Sequence, residues 1–241
     1  MTDDRAVTHD RAVTDDRAVT DGRPVTEPDA EVSGDSVREL LAEARGGVVP
    51  IVSAGAPVLR SRAATYAGQL DGKTFAELIE VMRATMHAAP GVGLAAPQIG
   101  IPLQIAVIED GFEVGADIAR VRDRTPVPFR VLVNPRYTPV GSPTASFYEG
   151  CLSVPGYQAV VTRAVQVRLE CTDEAGREID EVVRGWPARI VAHETDHLAG
   201  TLYIDRAHTR SLTTDEQYGA RWSDPAPERA AQALGFTSDP R

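Results

Sequence analysis

The sequence predicts one domain that mixes α-helices with β-strands and carries a polar tail at each end. Its 241 residues suit a single domain of ordinary size, and 42% of apolar residues is enough to build a core. Residues 103–109 and 129–134 have the apolar composition of buried strands, whereas 75–88 carries apolar residues at helical spacing. Together these observations predict a mixed fold.

Residues 1–36 form a low-complexity tail. Arg-Ala-Val-Thr recurs at 5–8, 11–14 and 17–20, and a related Arg-Pro-Val-Thr stands at 23–26. With so few large apolar residues, the segment cannot bury enough surface to offset the entropy that ordering would cost. We predict that this tail of hexapeptide repeats is disordered, and docking on a partner is the alternative.

The net charge of −10 is concentrated in that tail, because residues 1–36 contain ten acidic residues and four arginines. The remainder is only mildly acidic, so the sequence indicates no nucleic-acid-binding patch. There is no long apolar run and no apolar signal-peptide core at the N-terminus, so we expect a cytoplasmic protein without a membrane segment. In that compartment Cys151 and Cys171 are expected to remain thiols.

The first half of the domain begins with helix signals. Residues 37–44 have the pattern of a short helix that Ser36 would cap. Thr74 and Glu77 form a capping-box pattern ahead of an apolar periodicity, which predicts the helix at 75–88. The polar stretch 110–128, between the two predicted strands, is expected to be a loop with at most a turn of helix.

The second half of the domain is expected to be strand-rich, with a hairpin turn at 173–176. The expected strands are 160–163, 165–170 and 178–183. A helix follows at 186–199, because Pro187 suits a first turn and Gly200 suits the residue after the last turn. Residues 202–204 are expected to be a short strand or a packing segment, and 209–241 a tail that is a peripheral helix or disordered.

Two loop segments carry candidate polar groups. Residues 91–100 are rich in small side chains, and Gln98 among them offers an amide that can donate to a substrate oxygen. A tight turn under the next strand is the alternative interpretation. In the segment 149–156, Cys151 is either a buried structural residue or a thiolate ligand on a loop.

The predicted helix at 186–199 contains His-Glu-x-x-His. His193 and His197 are four residues apart and therefore lie on one helical face, where both can reach one metal ion. Glu194 would project near the open side of that ion, where a carboxylate can take a proton from water. A chance match on an ordinary buried helix is the alternative.

Three separated segments together resemble peptide deformylase. They are Gly93-Leu94-Ala95-Ala96-x-Gln98, Glu149-Gly150-Cys151-Leu152-Ser153 and His193-Glu194-x-Asp196-His197. They occur in this order, and the resemblance covers about residues 45–208. It implies an α+β fold in which antiparallel sheets pack around a central metal-binding helix. We therefore expect a deformylase-like catalytic domain at 37–208.

The resemblance also implies an activity and a metal. The expected enzyme is a metal-dependent hydrolase that removes the N-terminal formyl group from formyl-methionine of new polypeptides and releases formate. Cys151, His193 and His197 would hold one divalent ion. Members of this family generally use Fe²⁺ and also accept Zn²⁺, Ni²⁺ or Co²⁺. Glu194 would transfer protons, while the Gln98 side chain and the Leu152 backbone N–H would donate to the oxyanion.

Substrate contacts are implied in the same way. Gly93 would leave room for the peptide backbone to lie as an added strand. Val92, Trp186, Arg189 and Ile190 correspond to positions near the pocket for the methionine side chain, where Arg189 would lend its aliphatic stem. The expected partners are N-formylmethionyl peptides and the ribosome near the nascent chain.

Glu149, Arg163 and Asp196 are three charged residues in or beside these segments. An arginine between two carboxylates would allow all three to be buried as one hydrogen-bonded network that orients the cysteine loop against the helix. Separate surface charges are the alternative. A metallopeptidase, with His208 or Glu216 as third ligand, and a non-catalytic binding protein are the competing functions.

Overall fold

The computed structural model describes residues 34–44 and 46–238. The hexapeptide repeats, and with them the expectation that they are disordered, lie outside the described residues. Helix α1 (Gly34–Ala42) begins at Gly34 rather than at residue 37, and it buries Val37 and Leu41. None of the helices within the described ranges has both the length and the apolar character needed to cross a bilayer.

Helices and strands are interspersed along the chain. The other helices are α2 (Gly72–Ala88), α3 (Ala116–Arg122), α4 (Gly185–Leu198), α5 (Asp215–Gln217) and α6 (Glu228–Leu234). The strands are β1 (Gly93–Ala95), β2 (Ile105–Asp110), β3 (Val127–Pro139), β4 (Thr144–Gly150), β5 (Tyr157–Ala164), β6 (Gln166–Thr172), β7 (Glu178–Arg184) and β8 (Thr213–Thr214).

Two antiparallel sheets carry the fold. One contains five strands in the order β1-β2-β3-β6-β7, and the other contains β4-β5-β8. Helix α4 packs against strands of both sheets. The predicted α+β class, with antiparallel sheets packed around a central helix, is therefore confirmed.

Strand β3 is longer than the predicted 129–134 because it continues through a bulge. Asn134 has φ of +52°, and the pairing register shifts between Val133 and Arg136. The Asn134 side chain bonds the N–H and the C=O of Tyr66, which holds this conformation. The strand then pairs with β6 to Pro139, past the Asn-Pro step that marks a strand end in the sequence.

The sequence prediction missed strand β4, and two other segments contain helical turns. Strand β4 pairs with β5 along its whole length, so its stability comes from a partner later in the chain. The expected loop at 110–128 contains helix α3, and the expected strand or packing segment at 202–204 is a 3₁₀ turn, Tyr203–Asp205. These three segments lack a periodic apolar pattern, so tertiary contacts decide their conformation.

Helix α2 begins earlier than the predicted residue 75 and has a different cap. The N-cap is Asp71, whose side chain accepts hydrogen bonds from the backbone N–H of Lys73 and of Thr74 at 3.1 and 3.0 Å. Thr74 Oγ1 donates to the same carboxylate at 2.7 Å. The predicted capping box of Thr74 and Glu77 is therefore wrong, because Asp71 satisfies the free N–H groups first.

Helix α4 is the central element because one face is buried and its C-terminal end is fixed in position. Ile190, Val191 and Leu198 are at most 4% exposed and pack in a cluster with residues of β2, β3 and β6. Gly200 follows the helix with φ of +75°, and a Cβ there would lie 2.8 Å from the Arg60 carbonyl. Only glycine fits this exit without strain.

Replacing Asp71 tests the observed cap. Asp71→Ala is expected to lower the free energy of unfolding by about 1 kcal/mol, because two N–H groups of the first turn lose their acceptor. Asp71→Asn should keep most of the stability, and Glu77→Ala, the control for the capping box, should change little. Chemical denaturation measures the three variants. Equal stability of Asp71→Ala and the wild type would contradict this cap.

Candidate active site

Three metal-binding side chains meet between helix α4 and the end of strand β4. The donor atoms of Cys151, His193 and His197 all lie within 4.8 Å of one another, and Cys151 Sγ is 3.2 Å from His197 Nε2. One thiol and two imidazoles suit Zn²⁺, Fe²⁺ and similar divalent ions. Three protein donors are the number found in catalytic sites, which leave one position open. The residues therefore fit a catalytic metal ion.

The Cys151 thiol is held by the loop that follows β4. The backbone N–H of Ser153 points to Cys151 Sγ at 3.4 Å, and the Gln98 amide Nε2 lies 3.7 Å from the same sulfur. Val154 N–H donates to the Cys151 carbonyl at 2.9 Å and closes the turn. Two N–H donors thus hold the sulfur in place beside the histidine helix.

His193 is oriented by a carboxylate. Its Nδ1 lies 3.0 Å from Glu149 Oε2, on the strand that leads into Cys151. Because a carboxylate accepts, Nδ1 carries the proton and Nε2 is left with its lone pair for a metal ion. Burial disfavours an ionised Glu149, but Arg163 and Arg189 outweigh it and hold the pKa of that carboxyl well below its usual range.

The buried network predicted from Glu149, Arg163 and Asp196 is confirmed. Arg163 bonds both oxygens of Glu149 at 2.7 and 2.9 Å and donates to Asp196 Oδ2 at 2.8 Å. The three side chains are at most 6% exposed. Tyr137 Oη donates to Asp196 at 3.0 Å. The network thereby ties the cysteine strand β4 to the histidine helix α4.

Arg189 takes part in this network, which the sequence did not indicate. Its guanidinium donates to Glu149 Oε1 at 2.5 Å and to the carbonyls of Val161 and Ala145 at 2.9 and 2.6 Å. The side chain also lines the cavity that opens onto the donor cluster, and it lies over the Phe147 ring. The charge of Arg189 is therefore committed to Glu149, which leaves its apolar surface for the cavity.

Glu194 is buried beside the donor cluster and has an unusual environment. It is 4% exposed, and its Oε2 has no hydrogen-bond partner among the described residues. Burial raises the pKa of this carboxyl to about 7. A carboxyl with a pKa near neutrality that is free on one oxygen can both accept and return a proton.

Gly93 also has a packing role that the sequence did not indicate. A Cβ at Gly93 would lie 2.2 Å from Glu194 Oε1, so glycine provides the space in which that carboxylate sits. The role implied by the family resemblance, that Gly93 leaves room for the substrate backbone, stays a prediction. Strand β1 brings Gly93 against helix α4, and the close approach follows from that packing.

Gln98 lies on the short 3₁₀ helix after β1 and is 1% exposed. Its Oε1 accepts from Ala95 N–H at 2.8 Å, which fixes Nε2 toward Cys151 and toward Ser153 Oγ at 3.3 Å. Leu152 follows Cys151 and packs on the neighbouring apolar cluster. Both residues therefore lie beside Cys151.

A cavity of about 640 Å³ opens onto this cluster. Its wall contains every residue predicted for substrate contact: Val92, Gly93, Trp186, Arg189 and Ile190. Gln98, Cys151, Leu152, His193 and Glu194 also line it. His208 does not join them, since its Nε2 lies 2.9 Å from Thr162 Oγ1, and Glu216 is exposed. The downstream third ligand of the metallopeptidase alternative is therefore not present among the described residues.

Other residues of the wall were missed from the sequence, among them Arg122, Tyr148, Asp215 and Tyr218. Tyr148 directly precedes Glu149, so its place beside the site follows once β4 is recognised as a strand. Asp215 and Tyr218 belong to the predicted C-terminal tail, and no local pattern points them to the cavity.

Comparison with known proteins agrees with this geometry. A family model described as polypeptide deformylase matches residues 48–212. Peptide deformylase 3 of Streptomyces avermitilis is 61% identical over 202 residues, which cover 84% of this chain and 89% of the relative. Peptide deformylase 1 of Streptomyces coelicolor is 58% identical over 202 residues, which cover 84% of this chain and 92% of the relative.

Solved structures give the same result. A class I type b peptide deformylase from Acinetobacter baumannii with Met-Ala-Ser bound is 34% identical, with a TM-score of 0.59, and the match covers 66% of this chain and 98% of that one. A peptide deformylase from Synechococcus elongatus in complex with actinonin is 31% identical, with a TM-score of 0.56 and coverage of 78% and 87%. The chain therefore belongs to the polypeptide deformylase family.

Proposed function

We propose that the protein removes the formyl group from N-formylmethionyl peptides, which is the reaction of this family. The residues that line the cavity carry out this reaction. The observation that supports this best is the convergence of Cys151, His193 and His197 beside the buried, half-unpaired carboxyl of Glu194. When bound to the three donors, a divalent ion supplies Lewis-acid activation of water and of the formyl oxygen.

Glu194 is proposed as the proton-transfer group. Its carboxylate takes the proton of the attacking water and passes a proton to the departing amine, so that formate and a free N-terminus are produced. Gln98 Nε2 and the Leu152 N–H donate to the oxygen that becomes negative in the tetrahedral intermediate. Both donors adjoin Cys151, so they lie close to the carbon that the water attacks in this proposal.

The methionine side chain is proposed to lie against Val92, Trp186 and Ile190. Val92 immediately precedes Gly93, and Trp186 and Ile190 lie on the first turns of helix α4. The apolar surface of Arg189 completes this side, because its charge is satisfied by Glu149. The peptide beyond the first residue then lies along residues 91–94 toward the open mouth of the cavity.

Fe²⁺ is the proposed ion, and the site would also accept Zn²⁺, Ni²⁺ or Co²⁺, since thiolate and imidazole ligands suit all four. Metal content after anaerobic purification measures this choice. We further propose that the enzyme acts in the cytoplasm beside the ribosome, because formylated N-termini emerge there.

The role of Glu194 is tested with formyl-Met-Ala-Ser as substrate. The wild type is expected to release formate and to leave internal peptide bonds intact. Glu194→Gln should bind as much metal but lose about a hundredfold or more in kcat, the usual scale for a lost acid–base group. Internal cleavage by the wild type, or near-normal kcat in the variant, would contradict the mechanism.

The ligand role of Cys151 is tested by thiol labelling. In the metal-loaded protein Cys151 should resist a thiol reagent, and after treatment with a chelator it should react, because the sulfur is then free. Cys171 should not react with the reagent in either state, because it is 8% exposed and burial raises the pKa of its thiol to about 11.

Two serine variants complete that test. Cys171→Ser should keep metal content and activity, whereas Cys151→Ser should lose most of both. Rapid labelling of the loaded wild type, or tight metal binding by Cys151→Ser, would exclude the proposed donor set.

A further inference from the structure

Part of the cavity wall comes from a segment outside the family match. Asp215 and Tyr218 line the cavity, whereas the match ends at residue 212. The segment reaches the cavity because β8 pairs with β5 through Gln158 and Tyr157. The Gln158 amide also donates to Asp215 Oδ1 at 3.0 Å.

Tyr218 is held in the wall by two neighbours. Its ring stands edge-on to Tyr148, with ring centroids 5.2 Å apart and planes at 63°. Arg122 Nη2 donates to Tyr218 Oη at 3.4 Å. Tyr148 is 4% exposed and Arg122 is 8% exposed, so both supports are themselves part of the packed interior.

Arg122 connects this wall to the proposed methionine pocket. Its guanidinium lies over the Trp186 ring at 5.2 Å and over the Phe147 ring at 5.7 Å. The Arg122 guanidinium also donates to the carbonyls of Pro225 and Asp224 at 3.0 and 3.3 Å, so the C-terminal segment helps to hold this side chain. Trp186 and Tyr218 therefore share one buried cation between them.

The backbone at Tyr218 is also unusual. Residues Tyr218–Trp222 form a single π-helical turn directly after α5. Such turns are rare, and they are frequently found at functional sites. Here the turn places Tyr218 on the cavity, while Trp222 packs behind it on Tyr148, Val160 and Ala230.

We infer that Tyr218 is a specificity-determining residue that bounds the pocket for the side chain of the first substrate residue. The inference rests on the proposed function, which places that side chain against Trp186. In this arrangement α4 provides one side of the pocket and the C-terminal segment provides another. The size of residue 218 then sets the largest side chain that is accepted.

The test compares formyl-Met-Ala-Ser with formyl-Phe-Ala-Ser in the full-length, metal-loaded enzyme. Tyr218→Ala should lower the ratio of the two kcat/KM values by about tenfold, because the enlarged pocket holds methionine less well and accommodates the larger ring. Most of the change should lie in KM, with kcat within about twofold of the wild type. Tyr218→Trp should raise the ratio, because it narrows the pocket.

Trp222→Ala is the matched control. Trp222 belongs to the same aromatic cluster but does not line the cavity, so its removal can lower the melting temperature without changing the ratio. If Tyr218→Ala fails to fold, the increase in the kcat/KM ratio expected for Tyr218→Trp still tests the inference. A ratio equal to the wild type in the folded Tyr218 variants would overturn the inference. Failure of the wild type to release formate from either peptide would instead refute the proposed function.

Discussion

The site depends on one buried carboxylate, Glu149. It accepts hydrogen bonds from Arg163 and Arg189 and from the Nδ1 of His193, with 4% of its side chain exposed. A carboxylate in such a place is stable only while its partners remain, and removing one partner of a buried ion pair costs about 3–5 kcal/mol. Its partners lie on β5 and α4, and Glu149 itself lies on β4, so one residue fixes the relative position of three elements.

The chemistry of the cavity follows from that constraint. Cys151 lies two residues after Glu149, so the strand that holds the carboxylate also delivers the thiol to the histidine helix. Glu194 projects beside His193 into space that exists because residue 93 has no side chain. Strand β4 thus positions Cys151, and the packing of β1 against α4 positions Glu194.

The sequence was informative wherever function is encoded in short, spaced motifs. His-Glu-x-x-His on a helix predicted the two histidines, and the resemblance to peptide deformylase added Cys151 to the donor set. The Glu149–Arg163–Asp196 network was predicted from three charged residues in or beside these segments. It was less informative where distant residues decide the local structure. The local pattern predicts that the strand ends at Asn134. Hydrogen bonds from the Asn134 side chain to the Tyr66 backbone instead hold a bulge, and the strand continues beyond it.

Other differences have the same origin. Asp71 rather than Thr74 is the cap, because the helix begins at Gly72 and the Asp71 carboxylate accepts from the N–H groups of Lys73 and Thr74. Arg189 was predicted to offer only its stem to the pocket, but its charge also pairs with Glu149 on β4. Tyr218 belongs to a polar C-terminal stretch, and only the pairing of β8 with β5 brings it to the cavity.

The metal affinity of Glu149→Gln tests the role of this carboxylate most directly. The amide has nearly the shape of the carboxylate but no charge, so it weakens the bond that orients His193. Competition with a chromophoric chelator measures the dissociation constant for Zn²⁺ in this variant and in the surface control Asp180→Asn. A loss of about 10–100-fold in affinity for Glu149→Gln, the usual effect of removing a partner of a metal ligand, is predicted, with the control unchanged. Wild-type affinity in a folded Glu149→Gln protein would contradict the central place given to Glu149.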